Sequence, residues 1–182
     1  SWEIVCGTPD KDAEALVYHS DKATPGCAFF AISGAESDGK EYLEKAAIRG
    51  AQLLITDEEG EEMDEMLGRL NLTYGITGVR VKNVRKALAT ASASFYGRPA
   101  ESLTLIGVTG TNGKTTITTV IKKILAAFGK KSGLIGTCQN EIGDEILPTA
   151  RTTPEPYDLF ELLRKMADAG CEYAVMEVSS QG

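Results

Sequence analysis

Short apolar runs and amphipathic stretches alternate along the first half of the chain. The segments CAFFAIS from Cys27, LLIT from Leu53 and TGVRVKNV from Thr77 have the length and the aliphatic or aromatic content of strands. Between the first two, KEYLEKAAIRGAQ predicts a helix that ends near Gly50, with one apolar face made of Tyr42, Leu43, Ala46 and Ala47. The order strand, helix, strand is typical of an α/β unit.

A domain boundary is predicted near residue 98. The stretch before it, VRKALATASASFYG, predicts a helix because apolar residues recur at helical spacing, at Val84, Leu88, Ala91 and Phe95. The stretch YGRPAES then combines glycine, proline and polar residues, as connections between domains do. We therefore predict one domain in residues 1–98 and a second in residues 99–182.

The second half has the pattern of a parallel sheet with crossover helices. The runs LTLIGV, SGLIGT and EYAVMEV predict three strands. They alternate with two predicted helices, which end at Gly129 and Gly170. Apolar residues recur three or four positions apart in both helices. They are Ile117, Val120, Ile121, Ile124, Leu125 and Phe128 in the first helix and Leu159, Leu162, Leu163 and Met166 in the second. Crossover connections are right-handed, so this βαβαβ order predicts parallel strands.

Composition narrows the class of protein. The 182 residues are 42% hydrophobic and 25% charged, and a net charge of −7 disfavours nucleic acid as a partner. No apolar run has membrane-spanning length and the N-terminus lacks the order of a signal peptide, so we expect a soluble, cytoplasmic protein without a membrane partner. The acidic run DEEGEEMDE, residues 57–65, predicts a solvated loop or a frayed helix rather than a calcium loop.

Cysteine and histidine usage constrains any metal site. Four cysteines lie far apart and form no C-x-x-C pair, which favours buried free thiols over a zinc site or a disulfide framework. His19 is the only histidine. A metal held by these residues is therefore expected to have oxygen ligands, which favours Mg²⁺.

The stretch VTGTNGKTTITTV, residues 108–120, joins a predicted strand to a predicted helix. Gly110 and Gly113 permit positive φ and a close approach of backbone N–H groups to an anion. Lys114 at the helix start adds a positive charge for the β and γ phosphates, and the Thr115 hydroxyl can bind the accompanying Mg²⁺. We therefore predict an ATP-binding loop, made of Gly110, Thr111, Asn112, Gly113, Lys114, Thr115 and Thr116, with Lys114 in the catalytic role.

Two observations leave alternatives open. The pattern G-x-x-x-x-G-K-[ST] is incomplete because Val108 stands where it has glycine, so a glycine turn with a capping threonine remains the structural alternative. A nucleotide site also needs a carboxylate at the end of a neighbouring strand, and AVMEVSS offers Glu177. We predict Thr115 and Glu177 as metal ligands, the alternative being a Glu177 that merely faces outward.

The segments GVTGTNGKTT, ARTTPE and MEVSS together closely resemble the Mur ligases, the ATP-dependent amide-forming enzymes of peptidoglycan precursor synthesis. The stretch PGCAFFAISGAESDGKEYLEKAAIRGAQLLIT is similar to the N-terminal domain of that family. The resemblance implies an α/β UDP-binding domain followed by the first βαβαβ part of a P-loop, parallel-sheet ATPase domain. It also implies a ligase that phosphorylates the terminal carboxylate of a UDP-MurNAc-dipeptide, so that the amine of a diamino acid can attack the acyl phosphate.

The resemblance implies substrate contacts as well. Residues at matching positions for UDP-MurNAc-L-Ala-D-Glu are Ser20, Ala35, Glu36 and Ser37 at the uridine end and Thr152, Thr153 and Ser179 nearer the muramoyl part. Helix capping before Pro154 and Pro156 is the alternative for the two threonines. Four positions depart from the family pattern: His19 and Asp21 flank Ser20 in place of aspartate and arginine, Arg151 replaces asparagine, and Gln181 replaces histidine.

Members of the family continue well beyond the segment that matches Glu177. The resemblance therefore implies a fragment that is inactive by itself, because the site for the diamino acid lies in the later part. The alternatives are another Mur-type or folylpolyglutamate-type ligase, a P-loop kinase or NTPase switch, and a module that binds a UDP-sugar or nucleotide without chemistry. The choice between meso-diaminopimelate and lysine stays open.

Overall fold

The computed structural model describes residues 2–32, 39–149 and 151–179. The chain divides into two compact units, Ser1–Ala91 and Ser92–Gly182. The division falls inside a helix, Val84–Phe95, a few residues before the predicted domain boundary. A boundary near residue 98 therefore stays a prediction, and each unit is described by itself.

The first unit is a five-stranded sheet with helices. Its strands are β1 (Trp2–Cys6), β2 (Ala15–Val17), β3 (Cys27–Phe30), β4 (Leu53–Thr56) and β5 (Thr77–Val81), and its helices are α1 (Gly39–Ile48), α2 (Glu61–Tyr74) and the start of α3 (Val84–Phe95). The strand order is β1-β5-β4-β3-β2, and all neighbours are parallel except β1 and β5. The three predicted strands and both predicted helices are confirmed, whereas β1 and β2 were not predicted.

Helices α1 and α2 cover this sheet with apolar side chains. Leu43, Ala46 and Ala47 of α1 are buried in one core with Phe29 and Leu54 of the sheet. The fourth residue of the predicted apolar face, Tyr42, is 38% exposed, so it lies at the margin of that face. A tyrosine at the margin of a helix face can keep its hydroxyl in water while its ring covers apolar neighbours.

The prediction for the acidic run was wrong in its second half. Residues 57–60 precede α2, but Glu61 opens a regular helix of 14 residues that Gly75 ends in the left-handed conformation. Four apolar residues at helical spacing are buried along α2, at Met63, Met66, Leu67 and Leu70. Acidic residues in a first helical turn interact favourably with the helix dipole, so the charge marks the start of the helix instead of disrupting it.

The second unit contains the predicted parallel core. Its elements are β6 (Thr104–Thr109), α4 (Lys114–Ala127), β7 (Ser132–Ile135), β8 (Asn140–Ile142), β9 (Glu145–Leu147), α5 (Pro156–Asp168) and β10 (Tyr173–Val178). The strand order is β6-β10-β7-β8-β9, and β10 is parallel to both β6 and β7. The βαβαβ prediction is confirmed, but an unpredicted antiparallel hairpin, β8 and β9, extends the sheet beyond β7.

The two helices of this unit differ in how they are covered. Leu163 and Met166 of α5 are buried against the sheet. In α4, Thr118 is buried and Ile121 and Leu125 are half-buried, whereas one stripe of apolar side chains is exposed to solvent, at Ile117, Val120, Ile124 and Phe128. We call these four residues the α4 stripe.

Two further expectations can be compared with the structure. All four cysteines are free thiols, and Cys27 and Cys171 are buried as predicted, whereas Cys138 is exposed. Among the described residues, no helix is both long and apolar enough to cross a membrane.

Candidate functional site

The loop between β6 and α4 has the backbone that its glycines permit. Gly110 has φ 146° and Gly113 has φ 81°, both in the region that side-chain-bearing residues rarely adopt. A Cβ at Gly113 would meet no atom within 4 Å, so conformation rather than space requires glycine there. Gly113 at the N-cap of α4 has no side chain that could cap the helix, so it leaves the N–H groups of the first turn to an anion.

Lys114 is the first residue of α4 and lies next to this loop. Its Nζ donates a hydrogen bond to the Gly110 carbonyl oxygen at 2.7 Å. An ammonium group carries three donors, so this bond leaves donors for a second acceptor beside the loop. The structure therefore places the cationic group and the N-terminus of α4 at the same point.

Glu177 lies near the end of β10, the strand between β6 and β7. Its side chain is only 1% exposed, and its Oε2 accepts hydrogen bonds from the hydroxyls of Thr115 and Thr137, each at 3.0 Å. Its Oε1 accepts a third bond from the backbone N–H of Thr137, also at 3.0 Å. Glu177 faces the start of α4, which contradicts the alternative in which it faces outward.

The oxygen atoms around Glu177 are suitable ligands for a hard divalent cation. Within the described ranges, the Glu177 carboxylate accepts hydrogen bonds from hydroxyl and N–H groups and makes no salt bridge. A buried carboxylate is costly without a cation, whereas oxygen atoms of Glu177 and Thr115 are suitable ligands for Mg²⁺. The described part of the chain contains no group of three or more histidine, cysteine or acidic side chains that could hold a metal alone. Phosphate and water oxygens would complete such a coordination shell.

Thr137 belongs to this site, although the sequence does not predict it there. Thr137 follows β7, and its hydroxyl also lies 3.0 Å from the Thr152 hydroxyl. The available signal was its position after the run SGLIG, since parallel neighbours of one sheet end at the same edge. Only the strand order, with β10 next to β7, brings Thr137 to Glu177.

The predicted muramoyl-side residues lie in the same cluster. The Thr153 hydroxyl lies 3.1 Å from the Glu177 carbonyl oxygen and accepts a bond from the Ser179 N–H at 3.0 Å. The Thr153 and Ser179 hydroxyls are 3.2 Å apart. The N-cap of α5 is Glu155, and the hydroxyls of Thr152 and Thr153 bond to this cluster rather than to the helix start.

The structure describes one of the four predicted uridine-end residues. Ser20 is buried in a short 3₁₀ turn, Ser20–Lys22, of the first unit. Ala35, Glu36 and Ser37 lie outside the described residues. Their role therefore remains a prediction from the sequence.

Both parts of the chain match models of known protein families. A model described as the Mur ligase middle domain matches residues 108–182, and one described as the Mur ligase family, catalytic domain, matches residues 13–96. The chain belongs to the Mur ligase family. The family match to the middle domain includes the glycine loop, Thr137 and Glu177.

Similar proteins of this family carry a common name. The chain is 44% identical over 174 residues to the UDP-N-acetylmuramoyl-L-alanyl-D-glutamate--2,6-diaminopimelate ligase of Caldanaerobacter subterraneus subsp. tengcongensis, and 44% identical over 179 residues to that of Clostridium tetani. These alignments cover 96% and 98% of this chain but 34% and 36% of the relatives. The chain thus spans about a third of the length of the curated relatives it matches.

A solved structure of a Mur ligase has the same fold. The structure of a UDP-N-acetylmuramoyl-L-alanyl-D-glutamate--2,6-diaminopimelate ligase superposes with a TM-score of 0.76 at 25% identity. The superposition covers 99% of this chain and 34% of that protein. The α/β fold predicted from the sequence, with its P-loop-type second unit, is confirmed.

Proposed function

We propose that the chain supplies the UDP-sugar and ATP-binding parts of a ligase that adds a diamino acid to UDP-MurNAc-L-Ala-D-Glu. The observation that carries the proposal is the buried Glu177 carboxylate, 3.0 Å from the Thr115 hydroxyl beside a glycine loop at a helix N-terminus. The names of the relatives support 2,6-diaminopimelate as the diamino acid over lysine. The rest of the relatives' length is expected to be needed for the complete reaction.

The proposed chemistry divides between two steps. A carboxylate oxygen of the muramoyl dipeptide attacks the γ phosphorus of ATP, which releases ADP and forms an acyl phosphate. The amine of the diamino acid then attacks the acyl carbon, so that an amide bond forms, phosphate leaves and the amine loses a proton. Both steps transfer groups between bound partners, so positioning and charge stabilisation provide most of the catalysis.

The described residues have separate roles in the first step. The N–H groups of residues 110–116 hold the phosphates, and Lys114 balances the charge on the transferring phosphoryl group. Thr115 and Glu177 would hold Mg²⁺, which supplies positive charge at the phosphate oxygens when bound. The buried position of Glu177 keeps its carboxylate in one orientation toward the start of α4.

The substrate contacts are proposed on both units. Thr152, Thr153 and Ser179 would bind the muramoyl part, and their hydrogen bonds to one another and to Glu177 and Thr137 support this. Ser20 and residues 35–37 would bind the uridine end. A domain boundary near residue 98 is supported by the two family matches, which end at 96 and begin again at 108. We also propose a cytoplasmic location, without nucleic acid or membrane as partner.

Calorimetry with ATP and Mg²⁺ tests the nucleotide site. Lys114→Ala is expected to weaken ATP binding about tenfold to a hundredfold, because charge-assisted hydrogen bonds contribute roughly 1.5–3 kcal/mol. Lys123→Ala is the matched control, since Lys123 is an exposed lysine on the same helix, and it should bind ATP as the wild type does. Unchanged ATP affinity in Lys114→Ala would contradict the proposal.

A separate titration with UDP-MurNAc-L-Ala-D-Glu distinguishes the ligase from a kinase-like switch. Binding of this compound by the wild-type chain, with weaker binding in Thr153→Val, supports the ligase. Binding of ATP without any affinity for the UDP-sugar would favour the P-loop switch instead. Thr149→Val is the control, because Thr149 lies in the same connection but its hydroxyl donates to the Arg151 carbonyl oxygen, at 2.8 Å.

A further inference from the structure

Thr137 makes more hydrogen bonds to Glu177 than any other described residue. Its backbone N–H donates to Oε1 and its hydroxyl lies within donating distance of Oε2, both at 3.0 Å. Two bonds from one residue to the two oxygens of one carboxylate fix the plane of that carboxylate. Thr115 bonds to Oε2 alone.

The single proton of each hydroxyl fixes the direction of the hydrogen bonds among Thr152, Thr137 and Glu177. The Thr137 hydroxyl lies 3.0 Å from both the Glu177 Oε2 and the Thr152 hydroxyl, yet it carries a single proton. An ionised carboxylate only accepts hydrogen bonds and binds a donor more strongly than a hydroxyl does. The Thr137 proton therefore points to Glu177, and the Thr152 hydroxyl donates to Thr137.

Gly136 leaves the space that this arrangement needs. A Cβ at Gly136 would lie 2.6 Å from the Glu177 Oε1, much closer than a carbon atom can approach an oxygen. The Gly136 N–H bonds to the Asn140 side chain at 3.3 Å, which fixes the turn after β7 to the start of β8. Gly136 thus leaves room for the Glu177 carboxylate, and Thr137 lies within hydrogen-bonding distance of both of its oxygens.

We propose that Thr137 is a positioning residue, which holds the Glu177 carboxylate toward the cation and links it to Thr152 on the substrate side. This inference rests on the nucleotide and cation roles proposed above for Thr115 and Glu177. In this role Thr137 acts through Glu177, to which both of its donors lie within hydrogen-bonding distance. Groups that orient metal-binding carboxylates affect metal affinity strongly, typically about tenfold to a hundredfold when removed.

The test is the Mg²⁺ dependence of nucleotide binding. The dissociation constant of ADP is measured by calorimetry with EDTA and with Mg²⁺. The EDTA value divided by the Mg²⁺ value isolates the contribution of the cation. Thr137→Val keeps the shape and the backbone N–H but removes the hydroxyl, so we expect this ratio to fall about tenfold or more. Affinity in EDTA should stay within about twofold, and Thr137→Ser, which keeps the hydroxyl, should restore the wild-type ratio.

A purely structural role would give a different result. Loss of packing alone would lower the melting temperature, or weaken ADP binding equally with and without Mg²⁺, and either result with an unchanged ratio overturns the inference. Gly136→Ala provides a second variant if Thr137→Val does not fold, because it keeps the Thr137 hydroxyl and displaces Oε1. It should lower the ratio as well, and a wild-type ratio in Gly136→Ala overturns the inference too.

Failure of the proposed function is visible in the wild-type chain. If wild-type ADP binding is absent, or is not strengthened by Mg²⁺, then the nucleotide and cation roles fail, and the role of Thr137 fails with them. If wild-type binding responds to Mg²⁺ while Thr137→Val responds equally, only the role of Thr137 fails.

Discussion

The two units cover the apolar faces of their helices to different extents. In the first unit, Leu43 of α1 and Leu67 of α2 lie in the core and are both 0% exposed. In the second unit, the α4 stripe has the same helical spacing, yet Ile124 is 52% exposed. The residue of α4 that is fully buried is a threonine, Thr118, whose hydroxyl bonds to the Lys114 and Thr115 carbonyls.

This difference separates two meanings of hydrophobic periodicity. The spacing of apolar residues predicts that a segment is helical, because the period is a local property of the helix. Coverage of the apolar face depends on which other elements lie against it, and those come from distant parts of a chain. The α4 stripe therefore predicts a helix correctly without predicting a buried surface.

The largest expected difference between the units is in the free energy of unfolding that is lost when an apolar side chain of a helix is shortened. Leu43→Ala should destabilise the first unit by about 2–5 kcal/mol, because it leaves a cavity in a packed core. Ile124→Ala in the α4 stripe should cost less than about 1 kcal/mol, since the side chain is half exposed. Urea denaturation of both variants, followed by circular dichroism, measures the two values. Equal losses would show that the stripe is as well covered as the core.

Two glycine substitutions should change stability in opposite directions. A Cβ at Gly133 on β7 would lie 2.4 Å from the sulfur of the fully buried Met166, so Gly133→Ala should cost about 1–3 kcal/mol. Gly68 lies within α2 and a Cβ there meets nothing within 4 Å, so Gly68→Ala should stabilise by roughly 0.5–1 kcal/mol. Thermal unfolding of both proteins gives the signs, and destabilisation by Gly68→Ala would contradict the open space seen beside it.

A smaller effect is expected from an ion pair that joins α4 to the hairpin. Burial alone would raise the pKa of Glu141, but hydrogen bonds from Lys122 and Gln139 outweigh it and lower the pKa below the usual glutamate value. A lowered pKa in the folded state stabilises above the unfolded-state pKa and loses that contribution as pH falls through the folded-state value. Glu141→Gln should therefore cost roughly 1 kcal/mol near neutral pH, and the difference from the wild type should shrink below about pH 4.3. Denaturation at a series of pH values tests this, and a constant difference would contradict it.

The smallest effect on stability is expected in the α4 stripe itself. Replacement of both Ile124 and Phe128 by glutamate should change the melting temperature little but reduce binding of the dye ANS, which reports exposed apolar surface. Leu72→Glu is the control in the first unit, because Leu72 is 88% exposed on α2 and belongs to no such stripe. Equal loss of ANS fluorescence in both proteins would show that the stripe is not a distinct apolar surface.

The features that were predictable from the sequence are those with local causes. The glycine loop, the start of α4 and the strand ending in Glu177 depend on neighbouring residues, and all three were predicted within a few positions. The acidic residues of α2 were misread because charge was given more weight than the spacing of Met63 and Leu67.

Features that depend on distant parts of the chain were harder to predict. The role of Thr137 requires the order β6-β10-β7, which pairs strands far apart in sequence. Strands β8 and β9 have three residues each, too few for a periodic signal, although the pair Gly143 and Asp144 between them is typical of a hairpin turn.

The position of β10 has a consequence for synthesis of the chain. Among the strands that the structure describes, β10 leaves the ribosome last, yet it lies between two strands that were made earlier, with Tyr173 opposite both Thr104 and Ser132. A nascent chain that ends before Tyr173 leaves β6 and β7 without the strand that joins them, whereas the five strands described for the first unit have all been made at Val81. The first unit can therefore fold during translation, while the second must wait for the same strand that brings Glu177 to its loop.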